Sequence, residues 1–168
     1  MNKLIIEAKK FATYQHGAID HRRKYTNEPY IVHPARVAMA VDLVNGTPAM
    51  VAAAWLHDTV EDTDATIEDI YSNFGPTVGM YVAGLTDVAK PEDGNRAARI
   101  LINTAHTSIQ CAAVKTIKLA DSYDNVHDIM QHDKKFAATY MQEKRDLLPY
   151  LAQGNKVIYR SLSFLLKE

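Results

Sequence analysis

The chain has 168 residues, 47% of them hydrophobic, a length that can bury a sizeable core without disulfide staples. Its 19 basic and 20 acidic residues leave a formal net charge of −1, which argues against a general nucleic-acid-binding or membrane-surface protein, because such proteins are usually basic. The single cysteine, Cys111, excludes an internal disulfide framework and a cysteine-based zinc site, and its apolar neighbours predict a buried thiol.

The first ten residues alternate charged and apolar side chains and lack the continuous apolar stretch of a signal peptide. No apolar run in the sequence approaches the length of a membrane span. We therefore expect a cytoplasmic protein with no membrane or nucleic-acid partner, folded as a single domain over residues 1–168.

Helical periodicity dominates the sequence, which predicts an all-α fold, a compact multi-helix bundle. A first helix is expected over about residues 3–15, followed by a basic, polar loop at 20–28. The segment 29–34 opens a second helix, since proline suits a first helical turn. This helix is expected to end at Asn45 and Gly46, with the glycine in the left-handed backbone conformation.

Thr47 and Pro48 have the residue types of a helix cap and a first helical position, and the apolar run 51–56 that follows must be buried. Thr66 is expected to cap a short helix, and Gly75 with the proline after it to precede another. The remaining predicted helices cover about 95–106, 108–120, a short one from a junction at 118–121 to about 130, 133–153 and 155–166.

Four polar residues at the end of the buried run, His57, Asp58, Glu61 and Asp62, carry the strongest chemical signal. On a helix, residues four apart share a face, so His57 lies one turn from Glu61. Asp58 likewise lies one turn from Asp62. An imidazole and a carboxylate can bind a divalent cation, while neighbouring acids position water or transfer protons. An acidic helix end is the alternative, and it is disfavoured because carboxylates there oppose the helix dipole. The pattern therefore predicts a hydrolytic metal site.

Further ligands must come from elsewhere in the chain, and two residues are candidates. His33 stands directly before Pro34 at the start of a helix, although a lone histidine there also fits a surface or core role. Asp121 ends a largely apolar run, and Asn125 lies one turn further on the same face. For Asp121, helix capping is as consistent with the pattern as metal binding.

Three ordered motifs carry a resemblance that spans nearly the whole chain. They are Pro29-Tyr30-Ile31-Val32-His33-Pro34, His57-Asp58-Thr59-Val60-Glu61-Asp62-Thr63, and Lys118-Leu119-Ala120-Asp121 with Asn125. In this order and spacing the chain resembles the metal-dependent HD-domain hydrolases, specifically the small, single-domain alarmone hydrolases of the RelA/SpoT type.

The resemblance implies a manganese ion held by His33, His57, Asp58 and Asp121, with Glu61 and Asp62 acting in catalysis. An oxygen and nitrogen ligand set suits Mn²⁺, and zinc or iron could also bind. The implied reaction removes the 3′-pyrophosphate of guanosine tetraphosphate or pentaphosphate. The implied substrate contacts are Arg23, Lys24, Arg99, Asn125 and Tyr140. Family members are often dimeric, so a homodimer is possible.

Positive charge for the phosphates is available in the basic loop, where Arg23 and Lys24 match an arginine-lysine pair of the family. A solvated loop is the alternative interpretation of these charges. The chain departs from its relatives at three places: residues 25–28 where they often carry a glycine, Asn103 where they tend to have a glutamate, and the segment 122–125, which keeps the asparagine but lacks their usual basic residue.

Two other functions are consistent with the same residues. An HD-type site could act on another phosphoester, such as a nucleoside monophosphate or a phosphorylated dinucleotide. The fold could also serve as a nucleotide-binding module without turnover, but retention of both Glu61 and Asp62 argues against that.

Overall fold

The computed structural model describes residues 2–167, most of which are helical. The helices are α1 (Lys3–Ala18), α2 (Val32–Leu43), α3 (Pro48–Leu56), α4 (Thr59–Asp62), α5 (Ile67–Leu85), α6 (Arg96–Ser108), α7 (Ala112–His132), α8 (Lys134–Leu147) and α9 (Lys156–Leu165), with 3-10 turns at Pro91–Asp93 and Leu148–Leu151. Over these residues, β pairing is limited to one isolated antiparallel bridge between Arg22 and Pro29. The predicted all-α fold is confirmed.

The chain folds into two compact units, one up to Thr86 and the other from Asp87 onward. In the first unit, α3 packs against α1, α2 and α5. In the second unit, α7 packs against α8 and α9. The expectation of one domain over residues 1–168 stays a prediction.

Helix α3 forms the centre of the first unit because it is apolar on nearly every side. Val51, Leu56 and the three alanines at 52–54 are all buried. Small alanine side chains let neighbouring helices approach closely, which explains how one short helix packs against three others. As predicted, the Thr47 hydroxyl accepts a hydrogen bond from the backbone N–H of Met50, and Pro48 occupies the first turn. The carboxyl end of α3 therefore lies at a fixed point beside the core.

The turn between α2 and α3 corrects the expected role of Gly46. The residue with left-handed backbone geometry is Asn45, with φ of 59°, which asparagine tolerates better than most residues. Gly46 is needed for a different reason, since a Cβ there would lie 2.5 Å from Val41 Cγ1 and 2.8 Å from the Val41 carbonyl oxygen. The Gly46 N–H donates to that carbonyl at 2.9 Å. A close approach of backbone to side chain, rather than a positive φ, requires glycine.

The two helices expected on either side of Gly75 are present as the two halves of α5, which meet at a kink at that glycine. Its backbone angles, φ 81° and ψ 174°, are not helical, and Pro76 follows directly. At the start of α5, the Thr66 hydroxyl accepts from the Asp69 N–H, and the Asp69 carboxylate accepts from the Thr66 N–H. This reciprocal capping box confirms Thr66 as the cap.

Helix α7 is continuous over 21 residues, so the break predicted at 118–121 is wrong. The polar residues there do not end the helix, because Lys118 and Asp121 pair with each other one turn apart. The helix begins at Ala112, which places Cys111 at its N-cap, exposed rather than buried as expected. Neither α7 nor any other helix of the described chain has the length and apolar character needed to cross a membrane.

Candidate metal centre

The strongest predicted motif lies where α3 ends. His57 and Asp58 form the turn between α3 and α4, so the expectation of one uninterrupted helix through Asp62 is corrected. Both residues keep backbone angles close to helical, and the Asp62 N–H still donates to the Asp58 carbonyl at 3.0 Å. The Thr59 hydroxyl donates to the Leu56 carbonyl at 2.7 Å and bridges the break. The turn aims two ligand-type side chains at one point.

Three side chains converge at this point. His33, in the first turn of α2, places its Nε2 atom 3.2 Å from Nε2 of His57. The Asp58 Oδ2 atom lies 3.0 Å from His57 Nε2 and 3.5 Å from His33 Nε2. Both imidazoles are buried, and 17% of the Asp58 side chain is exposed. The structure thus brings together three of the four predicted ligands, all within the first unit.

The hydrogen bonding of His57 prepares it as a ligand. Its Nδ1–H donates to the Ala54 carbonyl at 2.9 Å, so in the neutral ring Nε2 carries the lone pair. Metal-binding histidines commonly donate their second ring nitrogen in this way, which fixes the tautomer and the orientation of the ring. The α3 backbone therefore directs a lone pair of His57 toward His33 and Asp58.

The donor set fits a divalent cation. Ligand bonds of about 2.0–2.2 Å place neighbouring ligand atoms of one ion roughly 3.0–3.5 Å apart. The three observed separations, 3.0, 3.2 and 3.5 Å, match this spacing. Two buried imidazole nitrogens beside a carboxylate form a set that suits Mn²⁺, Fe²⁺ or Zn²⁺. The His-His-Asp cluster can therefore hold a divalent metal ion.

Tyr30 makes a short contact to the ligand carboxylate. Its hydroxyl donates to Asp58 Oδ2 at 2.6 Å. The ring of His21 is stacked on the Tyr30 ring at 3.8 Å between centroids, and the ring of His16 lies at 4.8 Å. The Pro29-Tyr30 pair was visible in the sequence just ahead of His33, but no role could be assigned to the tyrosine from the sequence alone.

The two predicted catalytic acids lie on α4 and are exposed. The pKa of Asp62 is raised above its usual range, mainly by desolvation of its carboxyl group and next by the nearby charge of Asp58. The nearby Tyr30 hydroxyl acts in the opposite direction. A carboxyl group with a raised pKa keeps its proton to a higher pH than an ordinary aspartate, which favours a role in general acid catalysis.

Two histidines that the sequence reasoning passed over also lie beside this centre. His16, on α1, is 1% exposed, and its Nδ1 lies 3.1 Å from Nδ1 of His21. Burial is the main reason that the pKa of His16 is lowered to about 4, with the neighbouring imidazoles contributing. His16 is therefore neutral near pH 7. The sequence signal that could have identified His16 is the presence of a histidine among the apolar positions of α1.

The two predicted substrate residues of the basic loop, Arg23 and Lys24, differ in burial. Arg23 is 9% exposed, and its guanidinium lies 5.6 Å from the centre of the Tyr30 ring. Lys24 is exposed, with its ammonium 4.8 Å from the Tyr25 ring. Asn27 in this loop takes a positive φ of 58°, a left-handed conformation that asparagine tolerates. Arg23 is thus tied to the first unit's centre through Tyr30.

The fourth predicted ligand, Asp121, lies in the second unit, in the middle of α7. Its side chain is buried; Oδ1 accepts from the Asn125 amide at 2.6 Å and Oδ2 lies 3.1 Å from Lys118 Nζ. A position inside the helix removes the capping alternative. Asn125 lies on the same helix face as Asp121, as expected, and is hydrogen-bonded to it, while the ligand role of Asp121 stays a prediction.

The other predicted substrate residues of the second unit are Tyr140 and Arg99. Burial and the charge of Asp121 raise the pKa of Tyr140, so its hydroxyl stays protonated. The ammonium of Lys144 lies 4.8 Å from the Tyr140 ring, and burial with the charge of Lys118 lowers the pKa of Lys144 to about 8. Arg99 donates to the Gly94 carbonyl at 3.3 Å. The roles of Tyr140 and Arg99 in substrate binding stay predictions.

Two departures from the family pattern have structural explanations. The Asn103 side-chain oxygen accepts from the backbone N–H groups of Val88 and Ala89, at 3.0 and 2.9 Å, and so holds the segment before α6. Ser122 is completely buried, and a long basic side chain at that position would have to displace the packing around α7.

Comparison with known proteins gives relatives across most of the chain. The chain is 35% identical over 156 residues to the guanosine-3′,5′-bis(diphosphate) 3′-pyrophosphohydrolase MESH1 of Drosophila melanogaster, covering 91% of this chain and 82% of that protein. It is 37% identical over 126 residues to a guanosine-3′,5′-bis(diphosphate) 3′-pyrophosphohydrolase of Aquifex aeolicus. That match covers 73% of this chain but spans only 17% of the longer relative.

A solved structure described as a metazoan ortholog of SpoT that hydrolyzes ppGpp and plays a role in starvation responses has a TM-score of 0.88. Its sequence is 25% identical, and the similarity covers 99% of this chain and 96% of that one. The sequence also matches the family described as HD domain over residues 8–154. Because this match covers most of the sequence and includes the three converging ligands, the chain belongs to the HD domain family.

Proposed function

We propose that this protein is a Mn²⁺-dependent hydrolase that removes the 3′-pyrophosphate of guanosine tetraphosphate or pentaphosphate, giving GDP or GTP and pyrophosphate. The observation that carries this proposal is the convergence of His33, His57 and Asp58 with ligand atoms 3.0 to 3.5 Å apart. Support for the substrate comes from the relatives in Drosophila melanogaster and Aquifex aeolicus, whose names state this activity.

In this proposal His33, His57, Asp58 and Asp121 hold the ion. A bound divalent cation lowers the pKa of water and polarises a phosphoryl oxygen. Glu61 and Asp62 orient the attacking water and protonate the leaving group, because both acids are accessible on α4 and the pKa of Asp62 is raised.

The substrate phosphates require positive charge, which Arg23 and Lys24 supply from the loop beside Tyr30. Arg23 is the better placed for a bidentate contact, since its guanidinium is already oriented over the Tyr30 ring. Arg99, Asn125 and Tyr140 complete the proposed substrate contacts from the second unit. The homodimer, the cytoplasmic location and the single domain over residues 1–168 remain part of the same hypothesis.

The test is a product assay on protein stripped of metal and then loaded with Mn²⁺. Incubation with guanosine tetraphosphate should release pyrophosphate, and chelation should stop the release. The matched control is Asp58→Asn, which keeps the side-chain shape but removes the charge of one ligand. Absence of pyrophosphate across about pH 6 to 9, the range in which such acids and bases operate, would refute the proposal.

A substrate panel separates this activity from the alternatives. Release of orthophosphate from nucleoside monophosphates or phosphorylated dinucleotides, without cleavage of guanosine tetraphosphate, would show a different phosphoesterase. Tight nucleotide binding without any turnover in the metal-loaded protein would show a binding module.

A further inference from the structure

We propose that Tyr30 is a positioning residue of the metal centre, with its hydroxyl fixing the Asp58 carboxylate in the orientation that binds the ion. The inference depends on the metal centre of the proposed function but not on the identity of the substrate. It assigns a role to a side chain that is not itself among the proposed ligands or catalytic acids.

The first support is the atom that Tyr30 contacts. Its hydroxyl donates to Asp58 Oδ2, and this is the same oxygen that faces His57 Nε2 at 3.0 Å and His33 Nε2 at 3.5 Å. A hydrogen bond of 2.6 Å from a hydroxyl to a carboxylate is short and charge-assisted, and is among the stronger ones in proteins. Asp58 lies in a turn rather than in a regular helix, so its carboxylate depends on such a contact for a fixed orientation.

The second support is how firmly the Tyr30 ring is held. The ring is parallel to that of His21 within 8°, with centroids 3.8 Å apart, and the ring of His16 packs at 4.8 Å. The guanidinium of Arg23 lies 5.6 Å from the ring centre. The Tyr30 N–H donates to the His21 carbonyl at 2.9 Å, which ties the backbone to the same loop. The hydroxyl is therefore placed by packing before any metal binds.

The experiment compares Tyr30→Phe, which deletes only the hydroxyl, with the matched control Tyr14→Phe on the exposed side of α1. Mn²⁺ affinity of the metal-free proteins is measured by calorimetry, without nucleotide. Loss of a residue that orients a ligand typically weakens metal affinity by about 10-fold to 100-fold, and we expect this for Tyr30→Phe alone. An unchanged dissociation constant in a folded Tyr30→Phe protein would overturn the inference.

Two further measurements distinguish a role of Tyr30 in metal binding from a role in supporting the fold alone. The melting temperature of metal-free Tyr30→Phe should stay within about 2–4 °C of the parent, the change expected for the loss of one hydrogen bond in a chain of this size. At saturating Mn²⁺, kcat should fall while KM stays close to the parent value. Loss of stability in the metal-free protein with unchanged metal affinity would show that the tyrosine only supports the fold, and would overturn the inference.

If Tyr30→Phe does not fold, 3-fluorotyrosine placed at position 30 alone keeps the hydroxyl and reports on it. Titration with Zn²⁺ should shift the fluorine resonance in step with metal binding, whereas the same label at Tyr14 should not respond. No shift at position 30 would overturn the inference. Failure of the parent protein to cleave guanosine tetraphosphate would refute the proposed function and leave these metal measurements interpretable.

Discussion

The Nε2 atoms of His33 and His57 face each other at 3.2 Å, although 24 residues separate them in the chain. His33 lies in the first turn of α2 and His57 directly after α3, and these two helices pack against each other in the first unit. Because His57 Nδ1–H is bonded to the Ala54 carbonyl, its lone pair points at His33. The packing of α2 on α3 therefore creates the metal-binding pair.

Removing either imidazole should remove metal binding. We expect His57→Ala to show no Mn²⁺ uptake at micromolar metal, and to lose about 1 kcal/mol of stability with the hydrogen bond to Ala54. His127→Ala, on an exposed part of α7, is the control and should bind metal normally. Calorimetry on metal-free protein measures both. Normal Mn²⁺ uptake by His57→Ala would show that the ion binds elsewhere.

The acids on α4 should separate metal binding from turnover. Glu61→Gln is expected to keep Mn²⁺ affinity, since this side chain is not in the His-His-Asp cluster, and to lower kcat by about 100-fold to 10,000-fold as a lost acid-base group. Asp62→Asn should behave in the same way. The exposed Glu68→Gln, at the start of α5, is the control. Turnover of Glu61→Gln at the parent rate would remove Glu61 from the catalytic assignment.

Stability should fall as the pH drops, because of His16. Burial lowers the pKa of His16 to about 4 in the folded protein, whereas the unfolded chain takes up a proton near the ordinary value of 6.5. Above pH 6.5 the His16 ring is neutral in both states and does not reduce stability. As the pH falls from 6.5 toward 4, the unfolded chain takes up a proton that the folded protein does not, so the free energy of unfolding decreases by about 2 to 3 kcal/mol. Urea unfolding of the metal-free protein from pH 7.5 to about 4 measures this change.

The control for this pH dependence is His16→Gln, which cannot be protonated. The difference between the parent and variant curves isolates His16 from the other titrating groups. Parallel curves over the whole range would show that His16 does not contribute to the pH dependence.

Asn125 should stabilise the second unit through the carboxylate of Asp121. Asn125→Ala removes the 2.6 Å hydrogen bond to a buried carboxylate, which should reduce the free energy of unfolding by about 1–3 kcal/mol. The control is Asn73→Ala. The Asn73 side-chain amide donates an exposed hydrogen bond to the Asp69 carbonyl, so its loss should change stability much less. Equal losses in the two variants, measured by urea unfolding, would show that the Asp121 contact has no special role.

Gly46, in the α2–α3 turn, and Gly17, in α1, should respond oppositely to alanine. Gly46→Ala places a Cβ 2.5 Å from Val41 Cγ1 and 2.8 Å from a backbone oxygen, and overpacking of this kind costs about 1–3 kcal/mol. Gly17→Ala meets no atom within 4 Å near the end of α1 and should stabilise the protein by about 0.4–1 kcal/mol. Thermal unfolding measures both. A neutral Gly46→Ala would mean that the α2–α3 turn can shift.

The helices, their caps and the chemistry of the metal motif could be predicted from the sequence because these features are local. Thr47 and Thr66 cap helices as predicted, since a cap depends only on the next few backbone N–H groups. The apolar run 51–56 required burial, and α3 is buried. The polar residues that follow it could therefore be placed beside the core from the pattern alone.

Other features depended on how close individual side chains and backbone atoms come in the folded chain, which residue patterns do not report. The continuity of α7 through Asp121 follows from pairing with Lys118 and Asn125, and the need for Gly46 follows from its contact with Val41. Only the tertiary structure brought Tyr30, His33 and Asp58 together, because hydrogen bonds and ligand spacing depend on distances that close when helices pack.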